Sequence, residues 1–186
     1  MITTDVLRRM VARLDAASIS FMLTGSFANA VYGAPRATQD IDLVIDCDEA
    51  RLQTFVQALP REEYYVDEDA ALEALRTEGL FNVVDLSTGW KIDLIVRKNR
   101  QFSVEEFSRR RRVEIDGVSL AVATAEDTIV AKLEWARLGG SARQLEDVAS
   151  VLRLRRADLD ISRIERWVER LQLSAQWRAA QQLAEQ

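Results

Sequence analysis

Asp40 and Asp42 alternate with Ile41 and Leu43 in the run Asp-Ile-Asp-Leu-Val-Ile-Asp. Such alternation is the pattern of a half-buried strand, whose successive side chains point to opposite faces. Both carboxylates therefore project from one face and the apolar residues from the other. Residues two apart on a strand lie roughly 6.6 to 6.8 Å apart, within the span that two carboxylates can close upon one cation. Without a cation they repel, by about 4 kcal/mol at about 4 Å and an effective dielectric of about 20. That calls for a divalent cation or a raised proton affinity. Magnesium suits the first alternative, because it takes one or two carboxylates and leaves waters and substrate phosphates to complete its octahedron.

Upstream, an apolar run from Phe21 to Thr24 ends in Gly25-Ser26 and opens a short helix. The first amides of a helix have no partner within it and carry partial positive charge, so this turn is a candidate phosphate seat. Each sign is ordinary by itself: Asp-x-Asp marks many solvated strand ends, and Gly-Ser is common turn and cap chemistry. Their order is less ordinary. Thirteen residues separate Ser26 from Asp40, and a later strand, Trp-Lys-Ile-Asp-Leu-Ile-Val, carries a third carboxylate, Asp93. Its alternation sends Ile92, Leu94 and Val96 to the core and Lys91, Asp93 and Ile95 to the other face. Asp85 on the partner strand is the second candidate for this third place, and Asp46 a weaker one.

The elements that must position these residues follow from periodicity and punctuation. Apolar residues from Thr3 to Ala17 recur at helical spacing, with arginines opposite. Strands are expected at Ser20 to Thr24 and Asp40 to Asp46, with a short helix from Ser26 to Tyr32 between them, stopped by Gly33, Ala34 and Pro35. Helices follow at Glu49 to Ala58 and Glu68 to Arg76. Leu80 to Leu86 and Trp90 to Val96 read as a hairpin, Glu105 to Arg109 as a helical turn, and Val113 to Ile115 with Val118 to Val122 as a second hairpin around Asp116-Gly117. Thr124 opens a capped helix, ended by Gly139-Gly140, and three more follow at Arg143 to Leu154, Ile161 to Leu171 and Ala175 to Ala184. The order predicts an α+β (mixed α/β) fold, a mixed sheet flanked by helices with a helical C-terminal part. We divide it as a core over residues 1–123 and a helical subdomain over 124–186.

Bulk properties bound the function. The 186 residues carry 48% hydrophobic and 30% charged residues and a net charge of −5, as expected of a globular protein rather than one built to coat nucleic acid. The absence of histidine excludes histidine triads and histidine zinc sites in this chain. The lone Cys47 reads as a small packed residue rather than a nucleophile. No run approaches the roughly 20 apolar residues of a membrane span, and no secretory signal is evident at the start, so a cytoplasmic location is the expectation. The basic run Arg109 to Arg112, after Arg97, Lys98 and Arg100, is either a solvated face or a seat for RNA phosphates. Trp135, Trp167 and Trp177 sit at helical positions and read as core or interface.

At Gly25-Ser26, Asp40-Ile41-Asp42 and Asp93 the chain resembles the nucleotidyltransferase superfamily that includes DNA polymerase beta. More narrowly, Tyr-Gly-Ala-Pro-Arg-Ala-Thr-Gln-Asp-Ile-Asp-Leu-Val, with the later run from Glu126 to Ala149, is similar to the abortive-infection (AbiEii-like) branch of toxin-related bacterial nucleotidyltransferases. The resemblance covers roughly residues 20 to 150. It implies that Gly25 and Ser26 contact nucleotide phosphates, that Asp40 and Asp42 bind Mg2+, that Asp93 completes the metal and activation site, and that Lys132 reaches the triphosphate. Read by residue alone, Lys132 fits the solvated side of its helix equally well. Arg36 is divided between pairing a carboxylate and touching a phosphate, and Arg143 with Asp147 between a helical ion pair and a nucleotide-facing pair. The implied activity is Mg-dependent transfer of a nucleoside monophosphate from a nucleoside triphosphate to tRNA, protein or a small molecule, in a setting with a cognate toxin or antitoxin. Two alternatives stand beside it: a non-catalytic nucleotide-binding or toxin-neutralising module of the same fold, and an antibiotic nucleotidyltransferase.

Overall fold

A computed structural model describes residues 2–33, 37–115 and 117–186. Ala34 and Pro35 of the expected helix stop, the candidate nucleotide contact Arg36, and Asp116 of the expected second-hairpin turn lie outside the described residues. The chain forms two compact units, one of residues 1–23 and 38–122, the other of residues 24–37 and 123–186.

The first unit is built on a seven-stranded mixed sheet: β1 (Ser20–Leu23), β2 (Asp40–Asp46), β3 (Tyr64–Val66), β4 (Leu80–Asp85), β5 (Lys91–Val96), β6 (Arg111–Ile115) and β7 (Val118–Val122), in the order β3-β4-β5-β2-β1-β7-β6. The two central carboxylate-bearing strands, β2 and β5, run parallel, and β1 lies antiparallel on the other side of β2. The period-2 pattern is obeyed strictly. Ile41, Leu43, Ile45, Ile92 and Leu94 are fully buried, while the alternate residues on both strands are partly exposed. Helix α1 (Ile2–Ala16) buries Val6, Leu7, Met10 and Leu14, the stripe that its spacing predicts. Helices α3 (Glu49–Ala58) and α4 (Glu68–Thr77) are capped by Asp48 and Asp67, whose carboxylates accept from the amides of Arg51 and Ala70. The expected single turn near Glu105 is a full helix, α5 (Gln101–Arg109).

The second unit packs α2 (Gly25–Tyr32) with α6 (Ala125–Gly139) and α7 (Ala142–Arg155), followed by α8 (Ile161–Arg170) and α9 (Ser174–Ala184). The Thr124 hydroxyl caps α6 as its sequence suggests, accepting from the Asp127 amide at 3.2 Å and donating to Asp127 Oδ2 at 2.9 Å. Gly140, at φ +60°, ends α6 in the left-handed conformation that glycine adopts without steric cost. No helix among the described residues is long and apolar enough to cross a membrane.

Candidate active site

The parallel pairing of β2 and β5 matches the carboxylates row by row: Asp42 stands opposite Asp93, and Asp40 opposite Lys91. Paired residues on neighbouring strands present their side chains to the same face, so three aspartates and one lysine share a patch two rows deep. The exposures are graded. Asp93 is held in, at 16% side-chain exposure, while Asp40 is open at 51%.

Asp93 is oriented from both sides. Its Oδ1 accepts from Asn82 Nδ2 at 2.5 Å, across the β4–β5 hairpin, where Asn82 is its direct partner. Its Oδ2 lies 3.1 Å from Lys91 Nζ, and the same ammonium stands 3.7 Å from Asp40 Oδ1. Burial works to lower the Lys91 pKa, but the hydrogen bond to Asp93 and the charges of Asp93, Asp40 and Asp42 outweigh it and hold the amine above its ordinary value. The three carboxylates thus act together on one cationic centre.

That ammonium tests whether the patch fits a metal ion. It is a monovalent cation already drawn into the carboxylate field, and the remaining donors are hard oxygens. Among the described residues no group of three or more acidic or cysteine side chains stands close enough together to hold a metal ion by itself. An ion bound at this patch would have to take most of its ligands from water and substrate oxygens.

Asp85 lies on the opposite, buried face of β4, ion-paired with Arg9 and accepting from Ser87 Oγ at 2.6 Å, so it does not join Asp93. Asp46 shares the face of Asp42 but is held by Arg97, with Nε 3.0 Å from Oδ2 and Nη2 3.2 Å from Oδ1. Half-buried Cys47 has its thiol pKa pushed up to about 11 by burial, with Asp48 and Asp46 adding to the effect, so the thiolate is scarce at neutral pH.

In the second unit, Gly25 has φ +64°, a left-handed start to α2 that a side chain would strain, which is a physical reason for glycine at this turn. Lys132 is not on a solvated helix side: it is buried, with Nζ 2.7 Å from Asp147 Oδ2 and 3.0 Å from Gln144 Oε1 on α7. Asp147 is thus engaged by a lysine from the neighbouring helix. Trp167 and Trp177 are buried as expected, whereas Trp135 is 50% exposed.

Lys91 and Asn82 were not singled out by sequence. Lys91 was legible, being two residues before Asp93 and therefore on the same face. Asn82 could have been found by reflecting Asp93 through the centre of the hairpin turn, between Ser87 and Thr88.

Structural comparison adds what this geometry alone does not. ANT(2'')-Ia in complex with adenylyl-2''-tobramycin is similar over 95% of this chain and 99% of its own, at 15% identity and a TM-score of 0.59. An antigenic nucleotidyltransferase-like protein from Paracoccidioides brasiliensis aligns over 94% of this chain and 91% of its own, at 16% identity and a TM-score of 0.55. The chain has the nucleotidyltransferase fold. A third protein of this fold, the lincosamide antibiotic adenylyltransferase LnuA with lincomycin bound, covers 78% of this chain and 93% of its own, at 10% identity and a TM-score of 0.52. No family model and no curated protein matches the sequence.

Proposed function

We propose that this chain is a magnesium-dependent nucleotidyltransferase, moving a nucleoside monophosphate from a nucleoside triphosphate to an acceptor hydroxyl. The observation that carries the reading is the Asp42–Asp93 row on adjacent parallel strands, with Asp40 in the next row, in a sheet of the nucleotidyltransferase fold. Asp40 and Asp42 would hold the ion, with Asp93 as the third carboxylate. Bound there, magnesium would orient the triphosphate and neutralise charge on the α-phosphate and the departing pyrophosphate. In the transfer, the acceptor oxygen bonds to the α-phosphorus, the α–β bridging bond breaks, and pyrophosphate leaves. Asp93, held by Asn82 and Lys91, would accept the proton released by the acceptor hydroxyl. Gly25 and Ser26 as phosphate contacts, and Lys132 as a triphosphate contact, rest on the sequence resemblance.

Among acceptors, a small hydroxylated molecule has this support: two proteins of the same fold have antibiotic or adenylylated antibiotic bound. An RNA or protein acceptor, a toxin–antitoxin setting and the abortive-infection branch rest on sequence resemblance. Incubation with α-labelled nucleoside triphosphates, magnesium and panels of aminoglycosides, lincosamides, tRNA and protein tests the proposal. Label transfer that depends on magnesium and is lost in Asp42→Asn and Asp93→Asn is the expected result. No transfer to any acceptor and no magnesium-dependent nucleotide binding would refute it. Nucleotide binding with partner inhibition that survives Asp40→Ala and Asp42→Ala would establish the non-catalytic module instead.

A further inference from the structure

A second polar pocket lies in the first unit, at the end of the sheet where β1 begins. It encloses about 530 Å3 and is walled by Ser18, Ser20, Ser108, Ser119, Arg110 and Arg112. That volume lies within the roughly 300 to 1,000 Å3 range of small-molecule sites. Ser20 pairs with Asp46, four residues beyond Asp42 on β2. At about 3.3 Å per residue the pocket is therefore displaced by about 13 Å along the strand from the Asp42–Asp93 row.

Its chemistry is that of an anion receptor. Among the described residues neither Arg110 nor Arg112 has a carboxylate partner. Arg110 is nonetheless fixed. Its Nη1 donates to the Phe107 carbonyl at 2.5 Å, and its guanidinium lies 4.1 Å above the Phe107 ring, so the remaining N–H donors are oriented before any ligand arrives. Arg112 is exposed on the edge strand β6, opposite Ala121 of β7, and Ser119 lies two residues from Ala121 on the same face. The hydroxyls of Ser18, Ser20 and Ser119 add short donors that can turn toward an oxygen, while Ser108 Oγ donates to the Glu105 carbonyl at 2.8 Å and keeps its lone pairs toward the pocket. The one carboxylate on the wall is Asp15, which leaves the lining with a net charge of +1.

We propose that this pocket binds a phosphoanion, either inorganic phosphate or the phosphate monoester of a small molecule, through the Arg110 and Arg112 guanidinium groups with the hydroxyls of Ser18, Ser20 and Ser119. Two guanidinium groups can each offer paired N–H donors to a tetrahedral oxyanion, and neither must first be freed from a carboxylate. The site is independent of the transfer reaction proposed above.

Amide NMR of the full chain, titrated at constant ionic strength with inorganic phosphate, ribose 5-phosphate or sodium chloride, tests it. Saturable shifts at Ser18, Ser20, Ser108 and Ser119 with either phosphate, and none with chloride, are expected. Half-saturation at lower concentration with ribose 5-phosphate identifies a monoester ligand, and equal affinity identifies the free anion. Arg112→Ala should weaken binding about five- to tenfold, as for one charge-assisted hydrogen bond at a partly exposed site. Asp15→Asn should tighten it, by removing a like charge. Shifts that are non-saturable, equal with chloride, or unchanged in Arg112→Ala would overturn the proposal, and the spectra themselves report whether each variant is folded.

Discussion

Lys132 and Asp147 should behave as one buried unit whose halves cannot be removed separately. Their side chains are 4% and 7% exposed, and Nζ stands 2.7 Å from Oδ2. At that separation and an effective dielectric of about 20, the attraction is about 6 kcal/mol, most of which offsets the cost of taking both charges out of water. Removing one partner keeps the desolvation cost of the other and forfeits the attraction. Lys132→Met and Asp147→Leu are each expected to lower stability by about 3 to 5 kcal/mol. The double variant Lys132→Met with Asp147→Leu should lose far less than the two singles together, with a coupling of at least about 2 kcal/mol. Urea denaturation of the full chain followed by tryptophan fluorescence is the assay. Trp135, Trp167 and Trp177 lie in the helical unit and Trp90 in the sheet unit, so the signal is weighted toward the helices that hold the pair. Single variants costing less than about 1 kcal/mol, or costs that simply add, would refute the reasoning. Asp147→Asn also separates packing from chemistry, because it disturbs the pair while leaving the ammonium in place.

Asn82→Leu should reduce nucleotidyl transfer by about ten- to a hundredfold, the usual effect of losing a group that orients a ligand residue, with little change in stability since Asn82 is exposed; an unchanged turnover would show that Asp93 needs no help from β4. Acid stability should depend on Asp85. Burial works to raise its pKa, but the hydrogen bonds from Ser87, Arg9 and Thr88 and the Arg9 charge outweigh it, so its folded pKa lies below the unfolded one. The stabilisation is then present above the unfolded pKa, near 4, and is lost as pH falls through the folded value. Urea midpoints measured between pH 5 and pH 2 should fall more steeply for wild type than for Asp85→Asn, and parallel slopes would refute this.

Local pattern was enough for the strands that carry the candidate carboxylates. Alternation across Asp40 to Asp46 and Lys91 to Val96 determined which side chains are buried, because the strand period is two whatever the strand pairs with. Capping was equally local: Thr124, like Asp48 and Asp67, bonds amides three residues ahead in its own chain. The three-residue β3 escaped detection because so short a run carries no readable period, and it exists by pairing with β4.

Partnership was decided only in three dimensions. Sequence placed Asp42 and Asp93 each on an outward face, but 51 positions apart on strands that are not consecutive. Setting them in one row required the parallel register of β2 with β5. Asp85 was a rival for that place until the β4–β5 register put Asn82 opposite Asp93 and left Asp85 on the other face, beside Arg9. Lys132 could equally have been a solvated helix residue, because helical periodicity says which positions share a side and not which side another helix covers; α7 covers it, and Asp147 takes its charge. Sequence by itself determined the residue types and the faces, since these depend on backbone period and nearest neighbours. The tertiary structure decided which charges meet, since that depends on register and packing between segments far apart in the chain.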